Sequence, residues 1–195
     1  MTCVFEEYTF DMRFSGDIQP MEHKIGDKVV YPNHGVGVIE QINFGVLNGR
    51  TEKYYMIRIS SSGLKVMVPH SNACTVGLRP VIRNGETAQV FSFLEKGKCN
   101  SHHDWKHRFK ENSERMRTGS LIEVAAVFKS LVSLSRTKPL SFREKKMLER
   151  AKFLIVSELA TARNTSNETM EDNLVRSLAK AHLQMPTNID KQEQF

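Results

Sequence analysis

The sequence predicts an α+β protein: a small β-barrel of the Tudor or SH3 kind, followed by a C-terminal α-helical bundle. Three observations carry this. From Ile25 to about Ile82, apolar and polar residues alternate with the period of two that a half-buried strand requires. Tight-turn signals cut that stretch into five short strands, the pattern of a small closed or nearly closed sheet. From Glu86 onward the apolar spacing changes to the 3.6 period of helices. The chain then divides into an extension over 1–22, a barrel over 23–84, a helical domain over 85–185 and a loose tail over 186–195.

Residues 1–20 mix Phe5, Tyr8, Phe10 and Phe14 with acids and show no clean period. They are expected to be a flexible extension, or the product of a start placed upstream of Met21, and are given no role. Lys28 to Pro32 reads as the first strand. Asn33-His34-Gly35 reads as a turn, because Gly35 tolerates positive φ. Gly35 to Ile42 forms the second strand. Asn48-Gly49 is a type I′ hairpin signal leading to a third strand over Tyr54 to Ile59. Ser60 to Gly63 turns the chain into Leu64 to Pro69, and a short strand over about Leu78 to Ile82 completes the set.

Alternation assigns the faces of the fourth strand. Leu64, Val66 and Val68 are expected to point inward, with Lys65, Met67 and Pro69 outward. Proline has no N–H for a ladder, so this strand is expected at a sheet edge. An apolar edge either receives a strand from another protein or is covered by the rest of its own chain. Both readings stay open from the residues alone.

In the second half, a helix is expected over about Glu86 to Glu95, then a linker over Gly97 to His103. Asp104 can N-cap a helix running from Trp105 to about Thr118, with Gly119 as its stop. Ser120 with Glu123, and Ser141 with Glu144, have the spacing of capping boxes for the next two helices. Lys138-Pro139 separates these helices. The second extends to about Arg163, and a last helix covers about Glu168 to Leu183.

The charge of +6 is unevenly distributed. Residues 1–100 hold 11 Lys+Arg against 10 Asp+Glu, and residues 101–195 hold 17 against 12. The helical half therefore carries nearly all of the excess and points to an anionic partner. Three cysteines without framework spacing suit reduced thiols in a cytosol, and no apolar run is long enough to span a bilayer.

Trp105, the sole tryptophan, opens this basic half. Lys106, Arg108 and Lys110 crowd a helix start that electrostatically prefers acids, which makes sense if an external phosphate completes the site. On helical spacing Trp105 also shares a face with Phe109 and Met116, so taken alone a core role has the edge. Cys99, His102, His103 and His107 lack the paired C-x-x-C of a zinc site, and no phosphate-binding glycine loop or oriented nucleophile occurs. No enzyme, metal or cofactor is expected.

Two ordered blocks of residues resemble the CarD/CdnL family of bacterial transcription regulators. The first is Gly26-Asp27-Lys28-Val29-Val30-Tyr31-Pro32-Asn33-His34-Gly35-Val36-Gly37, with Val68-Pro69 and Val76-Gly77-Leu78-Arg79. The second comprises Trp105 with Arg108 and Lys110, Thr118-Gly119-Ser120, and Leu140 to Leu148. The similarity covers about Lys24 to Ala162.

The resemblance implies a non-enzymatic regulator whose barrel docks on the β subunit of RNA polymerase. The aligned docking positions are Leu47, Met67 and Pro69, beside Lys65. It also implies that the helical half reaches promoter DNA without reading its sequence. Trp105 would wedge at the minor groove at the upstream edge of the bubble. Arg108 and Lys110 align with positions that meet the DNA backbone, and the nearby cations Lys106, Arg143 and Lys146 are expected to join them. Met67 and Gly45 stand where some members carry arginines, and His107 replaces a basic residue after the tryptophan, which puts the strength of DNA contact in question. The alternative from the residues is an SH3/Tudor-like adaptor without DNA contact. A monomer acting in the bacterial cytoplasm, with no membrane partner, is expected.

Overall fold

The computed structural model describes residues 22–47, 50–97 and 105–186, and only the backbone of Leu47, Arg50, Trp105 and Lys106. The N-terminal extension, the Asn48-Gly49 turn, the Cys99/His102/His103 group, the Asp104 cap and the end of the tail lie outside the described residues.

Among the described residues five strands come first: β1 (Lys28–Tyr31), β2 (Gly35–Leu47), β3 (Arg50–Ile59), β4 (Lys65–Pro69) and β5 (Arg79–Pro80). They form one antiparallel sheet in the order β4-β3-β2-β1-β5. The turn between β1 and β2 forms as expected, with Asn33 at φ 62° and His34 N–H donating to the Tyr31 carbonyl at 2.9 Å. The sheet curls around Val29, Ile39, Tyr55, Ile57, Ile59, Val68, Ala73 and Leu78, all buried. Glu40 is an extra residue in the ladder, since the register slips between Ile39 and Gln41. Such a bulge bends its strand and sharpens the local twist that lets a short sheet curl.

Two expectations about the sheet change. Leu64 is exposed rather than inward: it belongs to the turn, and β4 begins at Lys65, so only Val66 and Val68 contribute to the core. The hairpin strands are also longer than their apolar patterns suggest. Backbone pairing carries β2 and β3 out to the Leu47–Arg50 rung, past the core. Phe44 and Val46 are consequently exposed.

Five helices follow: α1 (Asn84–Lys96), α2 (Trp105–Arg117), α3 (Leu121–Ser135), α4 (Phe142–Arg163) and α5 (Asn167–Lys180). Central α3 buries apolar residues around most of its circumference, including Val124, Ala125, Val127, Phe128, Leu131 and Val132. It packs against α1, α2 and α4, which supply Val90, Leu94, Met116, Leu148 and Ile155 to the same core. Each such large side chain contributes about 1.5–3 kcal/mol by leaving water. The Ser141–Glu144 capping box forms, with reciprocal bonds of 3.3 and 3.0 Å. The Ser120–Glu123 box does not. Ser120 makes no side-chain cap bond, and the Glu123 carboxylate lies 3.6 Å from Arg115 instead.

A polar joint locks sheet to bundle. Arg79 of β5 donates from Nη2 to Glu158 of α4 at 2.8 Å and from Nε to the Gly119 carbonyl at 2.6 Å. Glu158 is buried and also accepts the Ile82 N–H at 3.2 Å. Pro32 wedges between Gly77 and Gly119, which have φ of 76° and 77°. A Cβ on Gly77 would lie 2.9 Å from Pro32, and one on Gly119 3.2 Å. Both positions therefore combine a left-handed backbone with a close approach that favours glycine. Arg150 of α4 donates to the Asn33 carbonyl across the same joint.

Candidate protein and nucleic-acid interfaces

The first candidate surface is the outer face of β4. Among the described residues this strand pairs only with β3 and ends the sheet, so none of them pairs with the other side of its backbone, where another strand could add. Cross-strand register places Met67 beside Met56, Pro69 beside Tyr54 and Lys65 beside Arg58. Met67 is 57% exposed, and Met56, Tyr54 and Pro69 are half-buried around it. At one end of this apolar strip, Glu40 receives Lys65 Nζ at 3.1 Å and also Arg58. Hydrogen bonds from Arg58 and then Lys65 hold the Glu40 carboxyl below its usual range. Lys65 is thus exposed but tied within its own sheet.

Leu47 does not adjoin this strip. It occupies the last rung of β2, opposite Arg50, and its side chain lies outside the described residues. Tyr54 lies four positions along β3 from Arg50, or roughly 13 Å at the usual strand rise. Met56 and Tyr54 were not among the expected docking residues. Their parity on β3 put them on this face, but only the β3–β4 register shows that they flank Met67 and Pro69.

The second candidate surface lies where α2 and α4 begin. The first turn of α2 contains no acid. Trp105 and Lys106 are placed there by their backbone, while His107 and Lys110 are exposed. Arg108 requires a correction. It is buried, 2% exposed, and its Nη2 lies 2.7 Å from Glu144 Oε1, with Nε at 3.2 Å from the same oxygen. A phosphate cannot reach a guanidinium enclosed this way, so Arg108 is a structural clamp rather than a DNA-facing cation. Burial would raise the Glu144 carboxyl, but Arg108 and two hydrogen bonds from Ser141 outweigh it and hold the carboxyl low.

The Arg108–Glu144 clamp joins the opening turns of the two helices. Arg143 lies over the half-buried Phe109 ring at 5.9 Å, and Lys146 lies 5.7 Å from the Phe142 ring centroid. Both cations are exposed, although Lys146 also has Glu149 at 3.7 Å. Lys110, Arg143 and Lys146 therefore share one end of the bundle with the Trp105 backbone. Met116, expected to share a packing face with Trp105, is in the core. Among the described residues no group of three His, Cys, Asp or Glu side chains could hold a metal ion. None of their helices is long and apolar enough to cross a membrane.

Comparison with known proteins agrees with this division. Residues 23–82 match the family model of the CarD-like/TRCF RID domain, and residues 89–175 match the CarD C-terminal domain. A protein of Bacillus subtilis (strain 168) described as "Putative transcription factor YdeB" is 32% identical over 148 residues, covering 76% of this chain and 97% of that protein. With both parts matched in order and a relative aligned over nearly its whole length, the chain belongs to the CarD/CdnL family of transcription regulators.

Proposed function

We propose that this regulator docks on the β subunit of RNA polymerase through β4 and prolongs the open promoter complex through the opening turns of α2 and α4. The observation that carries the docking reading is Met67, more than half exposed on the strand that ends the sheet. A lone exposed methionine is ordinary, but one flanked by Met56, Tyr54 and Pro69 on an edge strand makes an apolar strip against which an added strand could pack. The working units are the barrel over 23–84 and the helical domain over 85–185, acting in the cytoplasm with polymerase and without catalysis.

On DNA, Trp105 wedges at the upstream edge of the bubble while Lys106, Lys110, Arg143 and Lys146 meet the backbone. Apolar insertion at a base step needs no sequence-specific hydrogen bond. With about four phosphate contacts, affinity should fall with a log–log salt slope of roughly −3.6, or about two orders of magnitude between 50 and 200 mM salt. Such weak binding becomes useful when the polymerase supplies a high local concentration.

The experiment is a pull-down with the polymerase β subunit, paired with open-complex lifetime measurements. Met67→Arg should abolish capture. Trp105→Ala should preserve capture and shorten the lifetime; an unchanged lifetime removes the wedge role. No capture of the wild-type protein would favour the adaptor reading.

A further inference from the structure

Phe142 is an exposed aromatic residue that neither the core nor the helix cap uses. It is the first residue of α4 and is 72% exposed. Leu140 on one side is buried in the bundle, and Ser141 and Glu144 form the cap on their own. Removing Phe142 would cost the folded state little, so its exposure is not explained by packing.

Its neighbours are cationic. Lys146 approaches its ring at 5.7 Å, and Arg143 follows it in the chain. Among the described residues neither Arg143 nor Lys145 has a carboxylate at ion-pair distance. The nearby acid Glu144 is already held by Arg108. Trp105 and Phe142 are each the first residue of their helix, and the Arg108–Glu144 clamp links those two opening turns.

We propose that Phe142 is a stacking platform for an unpaired base of the opened DNA strand. This rests on the reading of the helix end as the DNA-facing surface. The charge of this helix end suits a polyanion, and an exposed aromatic ring with Lys146 beside it and Arg143 next in the chain suits a base attached to phosphates. Duplex DNA offers no free base face without unstacking, whereas an opened strand does. A base resting on Phe142 would resist re-pairing after the duplex has parted, a contribution separate from wedging at the junction.

The test measures fluorescence anisotropy of the full chain at about 50 mM salt with three labelled DNAs: a single strand, its duplex, and a duplex carrying a central mismatched bubble. Phe142→Ala should weaken single-strand and bubble binding about tenfold, within the range of base–aromatic stacking, and change duplex binding less than twofold. Phe142→Tyr should restore most of the loss. Equal effects on all three DNAs, or none, would overturn the stacking role while wild-type duplex binding leaves the wider DNA reading intact. A wild-type protein that binds none of the DNAs would overturn both.

Discussion

Replacing Arg79 with methionine should loosen the joint between sheet and bundle. Glu158 is 2% exposed and would keep only the Ile82 N–H, at 3.2 Å, after losing the guanidinium. Removing one partner from a buried ion pair costs about 3–5 kcal/mol, because the surviving charge is desolvated without compensation. The Arg79 side chain is one-quarter exposed, so water can partly replace it, and the lower end, about 3 kcal/mol, applies here. For a chain of this size that corresponds to a fall in Tm of roughly 6–12 °C. The assay is urea and thermal unfolding followed by far-UV circular dichroism. Glu158→Gln tests the mechanism, since it removes the charge and keeps an acceptor for Ile82. The double variant should recover at least half of the loss produced by Arg79→Met alone. Arg79→Met costing under about 1 kcal/mol, or a double variant equal to the sum of the singles, would refute the reasoning. If the proposed function holds, open-complex lifetime should also fall in Arg79→Met, because this joint ties β5 to α4.

Arg108→Ala and Lys110→Ala should separate structure from DNA contact. Arg108→Ala should lower stability by about 3 kcal/mol by stranding Glu144, whereas Lys110→Ala should leave Tm nearly unchanged and reduce the DNA salt slope by about one; thermal melts and salt titrations read both. Acid should weaken the fold in two steps, visible in urea midpoints against pH. Burial, opposed by Asp27 and helped by His70, lowers the His23 pKa, so the unfolded chain binds more protons and stability falls as pH drops below about 6.5 towards the folded value. Glu144 also has a lowered pKa, so its contribution is present above about pH 4.5 and is lost as pH falls through the folded value. His23→Leu should remove the first step, and Glu144→Gln should shrink the second, to which Glu22, Glu40 and Glu95, also held low by cationic partners, contribute.

Parity and proline chemistry, both local properties of the chain, put Met67 and Pro69 on an outward edge, and the resemblance supplied their docking role. The same logic failed at Leu64, three residues before Met67, because parity holds only inside a strand and β4 begins at Lys65. Capping shows the same limit. Ser141 and Glu144 close their box, but Ser120 and Glu123 have equal spacing and do not, because Arg115 on the preceding helix competes for the acid. Arg108 looked like a DNA-facing cation by its place after Trp105. Its partner lies 36 residues away, at a distance no helical period can reveal.

The sequence by itself determined the class of the fold, the order of its elements, the edge character of β4 and the two matching family blocks. The first three follow from periodicity, turn chemistry and proline, which act over a few residues; the family blocks rest on the resemblance of ordered residues. The tertiary structure decided which charges remain exposed and how sheet and bundle are joined. The joining residues Pro32, Gly77, Arg79 and Gly119 all fall within the motifs that carry the resemblance, yet the role of Arg79 depends on Glu158, 79 residues beyond it, and Pro32 meets Gly77 and Gly119 only in the fold. A buried charge takes its meaning from its partner in space, and only folding brings that partner within reach.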